Sequence, residues 1–240
     1  MRRDDATHAA EGRYAPMKPM TEQHLAILRR HMVEVIDIHF DLAADEIGTG
    51  KLDPHLRSAL LEAPRHLFVP AQIAAAAYQD SPLPIGFDKT LSQPFIGALM
   101  LELLDVAPGD RVLEIGTGLG YQACVLAEMG AETWSVEIVE EFAEGARLRL
   151  AALGHAVEIR VGDGSRGWSE HAPFDRILVT AAAQEVPRPL LDQLAPAGRI
   201  VIPLGGKDVQ QLSVVAKEQD GTIDVRSIIP VRFTLLETMA

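Results

Sequence analysis

The sequence has few cysteines and few basic residues, and each shortage excludes a class of protein. Its 240 residues include a single cysteine, Cys124, so no internal disulfide can form and a reducing compartment is expected. Lysine and arginine number 22 against 34 aspartates and glutamates, which gives a formal net charge of −12. Because such a chain is poorly suited to neutralise a phosphate backbone, we expect no nucleic-acid partner.

Long apolar runs and a secretory leader are also missing. No apolar run approaches the roughly 20 residues that cross a bilayer, and the first residues lack the apolar centre of a signal peptide. We therefore expect no membrane partner and a cytoplasmic location. Residues 1–19 are polar, small and interrupted by proline, and they are predicted to form a disordered leader.

The pattern of the sequence changes along its length and predicts two folded regions. Residues 20–80 predict an N-terminal helical region, in which Thr21 caps a first helix, Asp53 and Pro54 begin a second, and 71–77 form a short third. Residues 81–240 predict the main domain, where short β-rich runs alternate with helices. The predicted strands cover 111–115, 132–138, 157–162, 174–181, 198–204, 211–217 and 223–236.

This alternation is typical of an α/β fold with a doubly wound sheet, parallel wherever a helix makes the crossover. The last two predicted strands are separated only by residues 218–222, too few for such a crossover. They should form an antiparallel hairpin. The predicted fold is a mostly parallel, seven-stranded Rossmann-like sheet with an antiparallel C-terminal hairpin and an N-terminal helical addition.

The turn after the first predicted strand is rich in glycine and follows an acid. It reads Glu114-Ile115-Gly116-Thr117-Gly118-Leu119-Gly120 and opens a helix at Tyr121, at the place where such sheets bind a nucleotide-like ligand. A dinucleotide loop would favour the G-x-G-x-x-G spacing around a pyrophosphate. The acid Glu114 instead favours a cationic ligand such as S-adenosylmethionine, which carries an ammonium and a sulfonium and no phosphate.

Two further acids end the next two predicted strands. Glu137 stands where a carboxylate can accept hydrogen bonds from both ribose hydroxyls, and Asp163 where a short acid can accept from the adenine amino group. Three acids at three consecutive strand ends fit one nucleoside ligand. The residues predicted around this ligand are Glu114, Gly116, Thr117, Gly118, Gly120, Tyr121, Glu137, Ile138, Asp163 and Gly164.

Motifs on both sides of the glycine loop together match one known family. The specific ones precede residue 110 and are Ala63-Pro64-Arg65-His66-Leu67-Phe68-Val69-Pro70, Ala77-Tyr78-Gln79-Asp80 with Leu83-Pro84-Ile85-Gly86, and Thr90-Leu91-Ser92-Gln93-Pro94. The loop itself and shorter matches at 162–164, 173–175 and 202–205 continue the pattern. The chain resembles the protein-L-isoaspartate O-methyltransferases over most of its length.

The resemblance implies a Rossmann-like methyltransferase that transfers a methyl group from S-adenosylmethionine to the free α-carboxylate of an isoaspartyl residue in damaged protein, leaving S-adenosylhomocysteine. It also implies that Ser92 is the active-site serine, with Thr90 and Gln93 beside cofactor and substrate. A carboxylate whose ordinary pKa is about 3.9 is ionised at neutral pH and needs no general base. We therefore expect Ser92 to orient the substrate, not to act as a nucleophile.

Two segments depart from the family pattern, and both would flank the substrate. Gly86-Phe87-Asp88-Lys89-Thr90 replaces Gly-x-Gly-Gln-Thr, and Phe233-Thr234-Leu235-Leu236 replaces Phe-Val-Pro-Leu. Phe87, Thr234 and Leu235 are therefore candidates for substrate contact. Two alternatives stay open: a specialised paralogue that methylates a carboxylate of a biosynthetic peptide or small molecule, and a non-catalytic S-adenosylmethionine sensor.

The remaining candidates for chemistry have ordinary interpretations. No metal site is predicted, and Cys124 is expected to be a small core residue, since a reactive thiolate would need a basic neighbour that the sequence does not show. Ser92 could equally be an N-cap for the helix after Pro94. The sequence does not predict an oligomeric state.

Overall fold

A computed structural model describes residues 20–239, so the predicted leader at 1–19 lies outside the described residues. The helices are α1 Glu22–Leu42, α2 Ala44–Ile47, α3 Pro54–Glu62, α4 Pro94–Leu104, α5 Tyr121–Glu128, α6 Glu140–Ala152 and α7 Arg188–Gln193. The strands are β1 Leu83–Gly86, β2 Lys89–Leu91, β3 Arg111–Ile115, β4 Glu132–Glu137, β5 Glu158–Val161, β6 Phe174–Val179, β7 Leu194–Gly205, β8 Gln210–Lys217 and β9 Ile223–Val231. Short 3₁₀ helices cover Arg65–Phe68, Ala71–Tyr78, Gly164–Arg166 and Ser169–His171.

Seven strands form one sheet in the order β5-β4-β3-β6-β7-β8-β9. The first five strands in this order, β5, β4, β3, β6 and β7, are parallel to one another. Strand β8 is antiparallel to β7, and β9 is antiparallel to β8. This arrangement confirms the predicted α/β sheet with an antiparallel C-terminal hairpin. The chain leaves β3 toward β4 on one side and later returns to β6 on the other, so the carboxyl ends of β3 and β6 flank the switch point where such folds bind ligands.

The sheet is buried on both faces by two apolar clusters, and one acid interrupts its central strand. Val112, Leu113 and Ile115 of β3 are almost completely buried, as expected for a strand covered on both faces. Glu114 lies between them and has an exposed fraction of 0%. A carboxyl group at such a position is costly unless a polar partner or a ligand compensates it.

The N-terminal helices begin at the predicted caps. The Thr21 side chain accepts a hydrogen bond from the backbone of His24, and Asp53 accepts from the backbone N–H groups of His55 and Leu56. The short helix predicted at 71–77 is present as a 3₁₀ helix over residues 71–78, with a break in its helical geometry at Ile73. Within residues 20–239, no helix combines the length and apolarity of a membrane span.

The C-terminal segment differs most from the sequence prediction. The last strand ends at Val231 and not at residue 236, because the chain then leaves β8 and crosses to the end of β6. There the Ala182 N–H donates to the Thr234 carbonyl over 2.8 Å, and the Leu236 N–H donates to the Ala182 carbonyl over 2.7 Å. These bonds hold the tail against the carboxyl edge of the sheet.

Candidate active site

The glycine loop between β3 and α5 packs tightly against its surroundings. Gly116 has a φ of +91°, and a Cβ there would lie 2.4 Å from Oγ1 of Thr180, which donates to the Gly116 carbonyl over 2.7 Å. A Cβ on Gly120 would lie 3.0 Å from the Cβ of Ala146 in α6. Gly116 thus lets the loop pass the end of β6, while Gly120 allows close packing of two helices. The role of Gly120 is therefore to let α5, which follows the loop, pack closely against α6.

The acids predicted at three strand ends lie on three adjacent strands. Glu114 belongs to β3, Glu137 ends β4, and Asp163 follows β5. A serine that the sequence did not point to connects Glu114 to the glycine loop: Ser135 donates to Oε2 of Glu114 over 2.5 Å, and its Oγ lies 2.5 Å from the Oγ1 of Thr117. Ser135 pairs with Glu114 in register across β3 and β4, which explains their contact.

Glu114 is the most perturbed carboxyl group of the site. Burial is the main cause that raises its pKa to about 8, opposed by the hydrogen bond from Ser135 and reinforced by the charge of Glu137. Its second oxygen, Oε1, is buried and has no hydrogen-bond partner among the described residues. A cationic ligand would supply both a donor and a compensating charge at this oxygen.

Unpartnered polar atoms converge on one cavity, which we call the inner cavity. Its lining includes Glu114, Thr117, Tyr121, Gln122 and Ser92. Three side-chain oxygens from these residues lack a described partner: Oε1 of Glu114, the hydroxyl of Tyr121 and Oε1 of Gln122. Because buried polar groups in native proteins are nearly always hydrogen-bonded, their concentration here indicates a ligand with several donors.

A second cavity, the strand-end cavity, also borders the glycine loop. It is lined by residues that include Glu137, Ile138, Phe142, Gly164, Thr234 and Leu235. It shares Ile85, Thr90, Gly116, Gly118 and Thr180 with the inner cavity. The two cavities therefore form one slot that passes over the glycine loop, and we call it the cofactor slot.

The acids at the strand-end side are already hydrogen-bonded within the protein. Oε2 of Glu137 accepts from the Gly118 N–H over 2.7 Å, and its Oε1 accepts from the Val139 N–H over 2.9 Å. Glu137 therefore shapes the glycine loop even without a ligand. Its carboxylate still lines the slot and has further lone pairs with which to accept from hydroxyls.

Asp163 is similarly engaged. Its Oδ1 accepts from the backbone and side chain of Ser165, and its Oδ2 accepts from the Met239 N–H over 3.2 Å. Burial opposes ionisation, but these hydrogen bonds and the charge of Arg166 outweigh it and lower the pKa of Asp163. Asp163 is not among the residues that line the slot, whereas its neighbour Gly164 is.

Thr90 and Ser92 lie where the cofactor slot meets the protein surface. Ser92 lines both the inner cavity and an outer cleft, which consists of two adjoining depressions sharing Pro82, Thr90, Arg232 and Phe233. Thr90 lines the slot and the cleft throughout. A group bound in the cleft would therefore meet a group bound in the slot at these two side chains.

A buried arginine fixes the Ser92 segment. Arg65 has an exposed fraction of 2%, its Nε donates to the Ala77 carbonyl over 2.6 Å, and its Nη2 donates to the Ser92 carbonyl over 2.5 Å. The guanidinium also lies 4.6 Å from the centre of the Tyr121 ring. Arg65 thus connects the N-terminal region to Ser92 and to the helix after the glycine loop. This role of Arg65 is not apparent from the sequence, although the residue belongs to the motif at 63–70.

Comparison with known proteins identifies this architecture. Residues 39–239 match the family model for protein-L-isoaspartate(D-aspartate) O-methyltransferase. The chain belongs to this family. The resemblance found in the sequence is therefore confirmed, and with it the predicted reaction class, carboxyl O-methylation that depends on S-adenosylmethionine.

Relatives in the family match nearly the whole chain. Protein-L-isoaspartate O-methyltransferase 1 of Polaromonas sp. (strain JS666) is 48% identical over 219 residues, which is 91% of this chain and 93% of the relative. Protein-L-isoaspartate O-methyltransferase 2 of Syntrophobacter fumaroxidans is 50% identical over 210 residues, covering 87% of this chain and 85% of the relative.

Solved structures of the same description share the fold. One protein-L-isoaspartate O-methyltransferase superposes with a TM-score of 0.73 at 28% identity, covering 86% of this chain and 65% of that chain. A Plasmodium falciparum structure in complex with S-adenosyl-L-homocysteine has a TM-score of 0.71 at 22% identity, covering 88% of this chain and 97% of that chain.

Gln93 and Phe87, like Asp163 and Gly120, are predicted site residues that do not line the cofactor slot. Gln93, predicted beside the cofactor, lines the outer cleft, and its amide donates to Oδ2 of Asp80 over 2.8 Å. Phe87, predicted at the substrate, packs edge-to-face on Phe142 with ring centres 5.3 Å apart and does not line the described slot or cleft. A contact of Gln93 with the cofactor and one of Phe87 with the substrate stay predictions.

The structure separates the two interpretations of Ser92. Helix α4 begins at Pro94, and its cap residue is Gln93, whose side chain makes no capping bond. Ser92 lies one residue earlier and faces the slot and the cleft. The alternative that Ser92 merely caps this helix is therefore wrong.

Proposed function

We propose that this chain methylates the free α-carboxylate of L-isoaspartyl residues in damaged proteins or peptides, in the cytoplasm and without a nucleic-acid partner. The observation that carries the proposal is the junction at Thr90 and Ser92, where the outer cleft opens onto the cofactor slot. This junction lets a peptide carboxylate in the cleft meet a methyl donor in the slot.

S-adenosylmethionine fits the polar atoms of the slot. In this assignment Glu114, in the inner cavity, would hold the ammonium end, and Glu137 would accept from the ribose hydroxyls. Ile138 and Gly164, which line the strand-end cavity, would hold the nucleoside. When bound, the cofactor supplies an electrophilic methyl group on a sulfonium. Gly116 and Gly118 bring the backbone close to it because they have no side chain.

The protein's contribution to the reaction is to position an acceptor that is already ionised. No histidine lines the described slot or cleft, so the lining offers no imidazole base. None is needed, because a carboxylate is deprotonated at neutral pH. Arg232 adds a positive charge to the cleft that attracts the carboxylate, and the Ser92 hydroxyl orients it; alignment of this kind accounts for several kcal/mol of barrier reduction.

A paired peptide assay tests the substrate. The same peptide is offered with isoaspartate or aspartate at one position, and base-labile methanol release is measured after incubation with S-adenosylmethionine. We expect methyl ester formation on the isoaspartyl peptide only. Equal methylation of both peptides would support the specialised paralogue and defeat the repair assignment, and cofactor binding without release from either peptide would support the sensor.

Substitution Ser92→Ala tests the role of the serine. Because Ser92 is proposed to orient the acceptor, we expect turnover to fall by about 10- to 100-fold while cofactor affinity stays nearly unchanged. Turnover is followed by methanol release and affinity by calorimetry with S-adenosylhomocysteine. A loss of cofactor binding by a variant with an unchanged melting temperature would contradict this role.

A further inference from the structure

A cluster of metal-ligating side chains lies outside the cofactor slot and the outer cleft. It consists of Cys124 and Glu128 on α5 and His155 just after α6. None of the three lines the slot or the cleft. The sequence shows no basic neighbour for Cys124, but the fold places His155 beside it.

The ligand atoms of the cluster already lie close together. One atom from each residue, a thiol sulfur, a carboxylate oxygen and a ring nitrogen, is within 4.8 Å of the other two. The carboxylate of Glu128 lies 3.2 Å from Nε2 of His155. Cys124 and Glu128 share one face of α5 because they are four residues apart. The His155 backbone is held in turn by its N–H bond to the Leu150 carbonyl over 3.0 Å.

We propose that Cys124, Glu128 and His155 form a binding site for a zinc-like divalent metal ion. Zinc bonds of about 2.3 Å to sulfur and about 2.0–2.2 Å to nitrogen and oxygen place tetrahedral ligands roughly 3.3–3.7 Å apart. The carboxylate oxygen and the imidazole nitrogen, 3.2 Å apart, lie just below this spacing, and the sulfur, within 4.8 Å of both, lies at most about 1.5 Å beyond it. A set of thiolate, imidazole and carboxylate favours zinc over magnesium or calcium.

Charge and access both suit such an ion. A thiolate and a carboxylate together neutralise a divalent cation, so the filled site carries no net charge into its buried surroundings. His155 also lines a surface depression with Gly154 and Ala127, which opens the cluster to solvent. Three protein ligands with an open fourth position for water complete a common zinc geometry.

The ordinary interpretation of the cluster is an ion pair between Glu128 and His155 beside an inert thiol. Burial, reinforced by the charge of Glu128, raises the pKa of the Cys124 thiol to about 12, so without a metal this group is neutral. The two interpretations differ in what a divalent ion does to the thiol, because a bound metal deprotonates a coordinating thiol outright.

Titration of the chelator-treated full chain with Co²⁺ alone distinguishes the metal site from the ion pair beside an inert thiol. Thiolate-to-cobalt charge transfer absorbs in the near ultraviolet, and since Cys124 is the only cysteine in the chain, any such band belongs to it. We expect a band that saturates at one Co²⁺ per chain and is lost in Cys124→Ser. His155→Gln and Glu128→Gln should each weaken Co²⁺ binding at least tenfold, on the order seen for perturbed metal sites.

A control histidine and a second readout keep the test independent of folding defects. His55 is exposed and lies in α3, so His55→Gln should leave the band unchanged. Zn²⁺ should raise the melting temperature of the unmodified chain and of His55→Gln, and not that of His155→Gln. Absence of a thiolate band with stoichiometric Co²⁺, or a band that is unchanged in His155→Gln, would overturn the proposal.

Discussion

The two ends of the cofactor slot use their acids differently. At the strand-end side, both oxygens of Glu137 accept from backbone N–H groups, and both oxygens of Asp163 have donors within the protein. At the inner side, Glu114 has one donor, Ser135, and its other oxygen has none among the described residues. The acids at the strand-end side thus accept hydrogen bonds on both oxygens without a ligand, whereas Oε1 of Glu114 at the inner side lacks a donor among the described residues.

This difference indicates what each acid contributes. Glu137 anchors the glycine loop and also lines the slot. Glu114 is held in an environment that disfavours its charge until a cation arrives, and an unsatisfied buried polar group costs about 1–3 kcal/mol. The free chain therefore carries a local instability at Glu114 that a positively charged ligand relieves.

The largest effect that would test this contrast is the pH dependence of stability. The folded-state pKa of Glu114, about 8, lies above the ordinary glutamate value of 4.5. Below pH 4.5 the group is protonated in both states, and as pH rises toward 8 only the unfolded chain releases the proton. The free energy of unfolding of the ligand-free chain should therefore fall over this window, by on the order of 4 kcal/mol from this group.

The contribution of Glu114 is isolated by substitution. Urea unfolding at pH 5 and pH 8 should show that Glu114→Gln loses less stability over this interval than the unmodified chain. Glu144→Gln, on the exposed face of α6, serves as the matched control and should follow the unmodified chain. Equal pH dependence in all three proteins would show that Glu114 ionises freely in the folded state.

A pair of glycine substitutions tests the loop between the two ends. At Gly116 an alanine would have a φ of +91° and would contact Thr180 Oγ1 at 2.4 Å, whereas at Gly118 it would have a φ of +53° with its nearest contact at 3.8 Å. We expect Gly116→Ala to lower the free energy of unfolding by about 3 kcal/mol and Gly118→Ala by about 1 kcal/mol. Urea midpoints measure both, and a larger loss in Gly118→Ala would contradict this account.

The grouping of the three acids at one edge of the sheet could largely be predicted from the sequence. Glu114, Glu137 and Asp163 end consecutive parallel strands, and parallel strands bring their carboxyl ends to one edge of the sheet. The pattern of strands and helices therefore fixed their proximity, and strand β3 has the predicted bounds. The hairpin of β8 and β9 was predictable because a five-residue connection excludes a crossover.

The contacts of Arg65 and of the C-terminal tail beside the slot could not be predicted in this way. Arg65 reaches the Ser92 carbonyl across 27 residues of sequence, and no local pattern reports such a contact. The tail after Val231 reads as a continued strand, and only its bonds to Ala182 reveal that it crosses to β6. Thr234 and Leu235 reach the strand-end cavity by this crossing. These features depend on tertiary contacts that override local propensity.

A smaller effect concerns the proton that Glu114 retains near neutral pH. If the cofactor ammonium binds at its free oxygen, the carboxyl group must ionise, so binding of S-adenosylmethionine at pH 7 should release up to about one proton. Calorimetry in buffers of different ionisation enthalpy measures this release. Glu114→Gln should bind about 30-fold more weakly, close to 2 kcal/mol, and release none. Proton release that persists in Glu114→Gln would place the titrating group elsewhere.

The smallest expected effect is at Asp163, whose two carboxylate oxygens already accept hydrogen bonds within the protein. In Asp163→Asn the new amide can keep the bond from Ser165 but faces the Met239 N–H with a second donor, which should release the tail at a cost of about 1 kcal/mol. Hydrogen exchange of residues 237–239 should accelerate, and the affinity for S-adenosylmethionine should fall less than in Glu114→Gln. An affinity loss as large as that of Glu114→Gln would mean that Asp163 exchanges Met239 for the adenine amino group when the cofactor binds. The two ends of the slot would then both depend on the ligand.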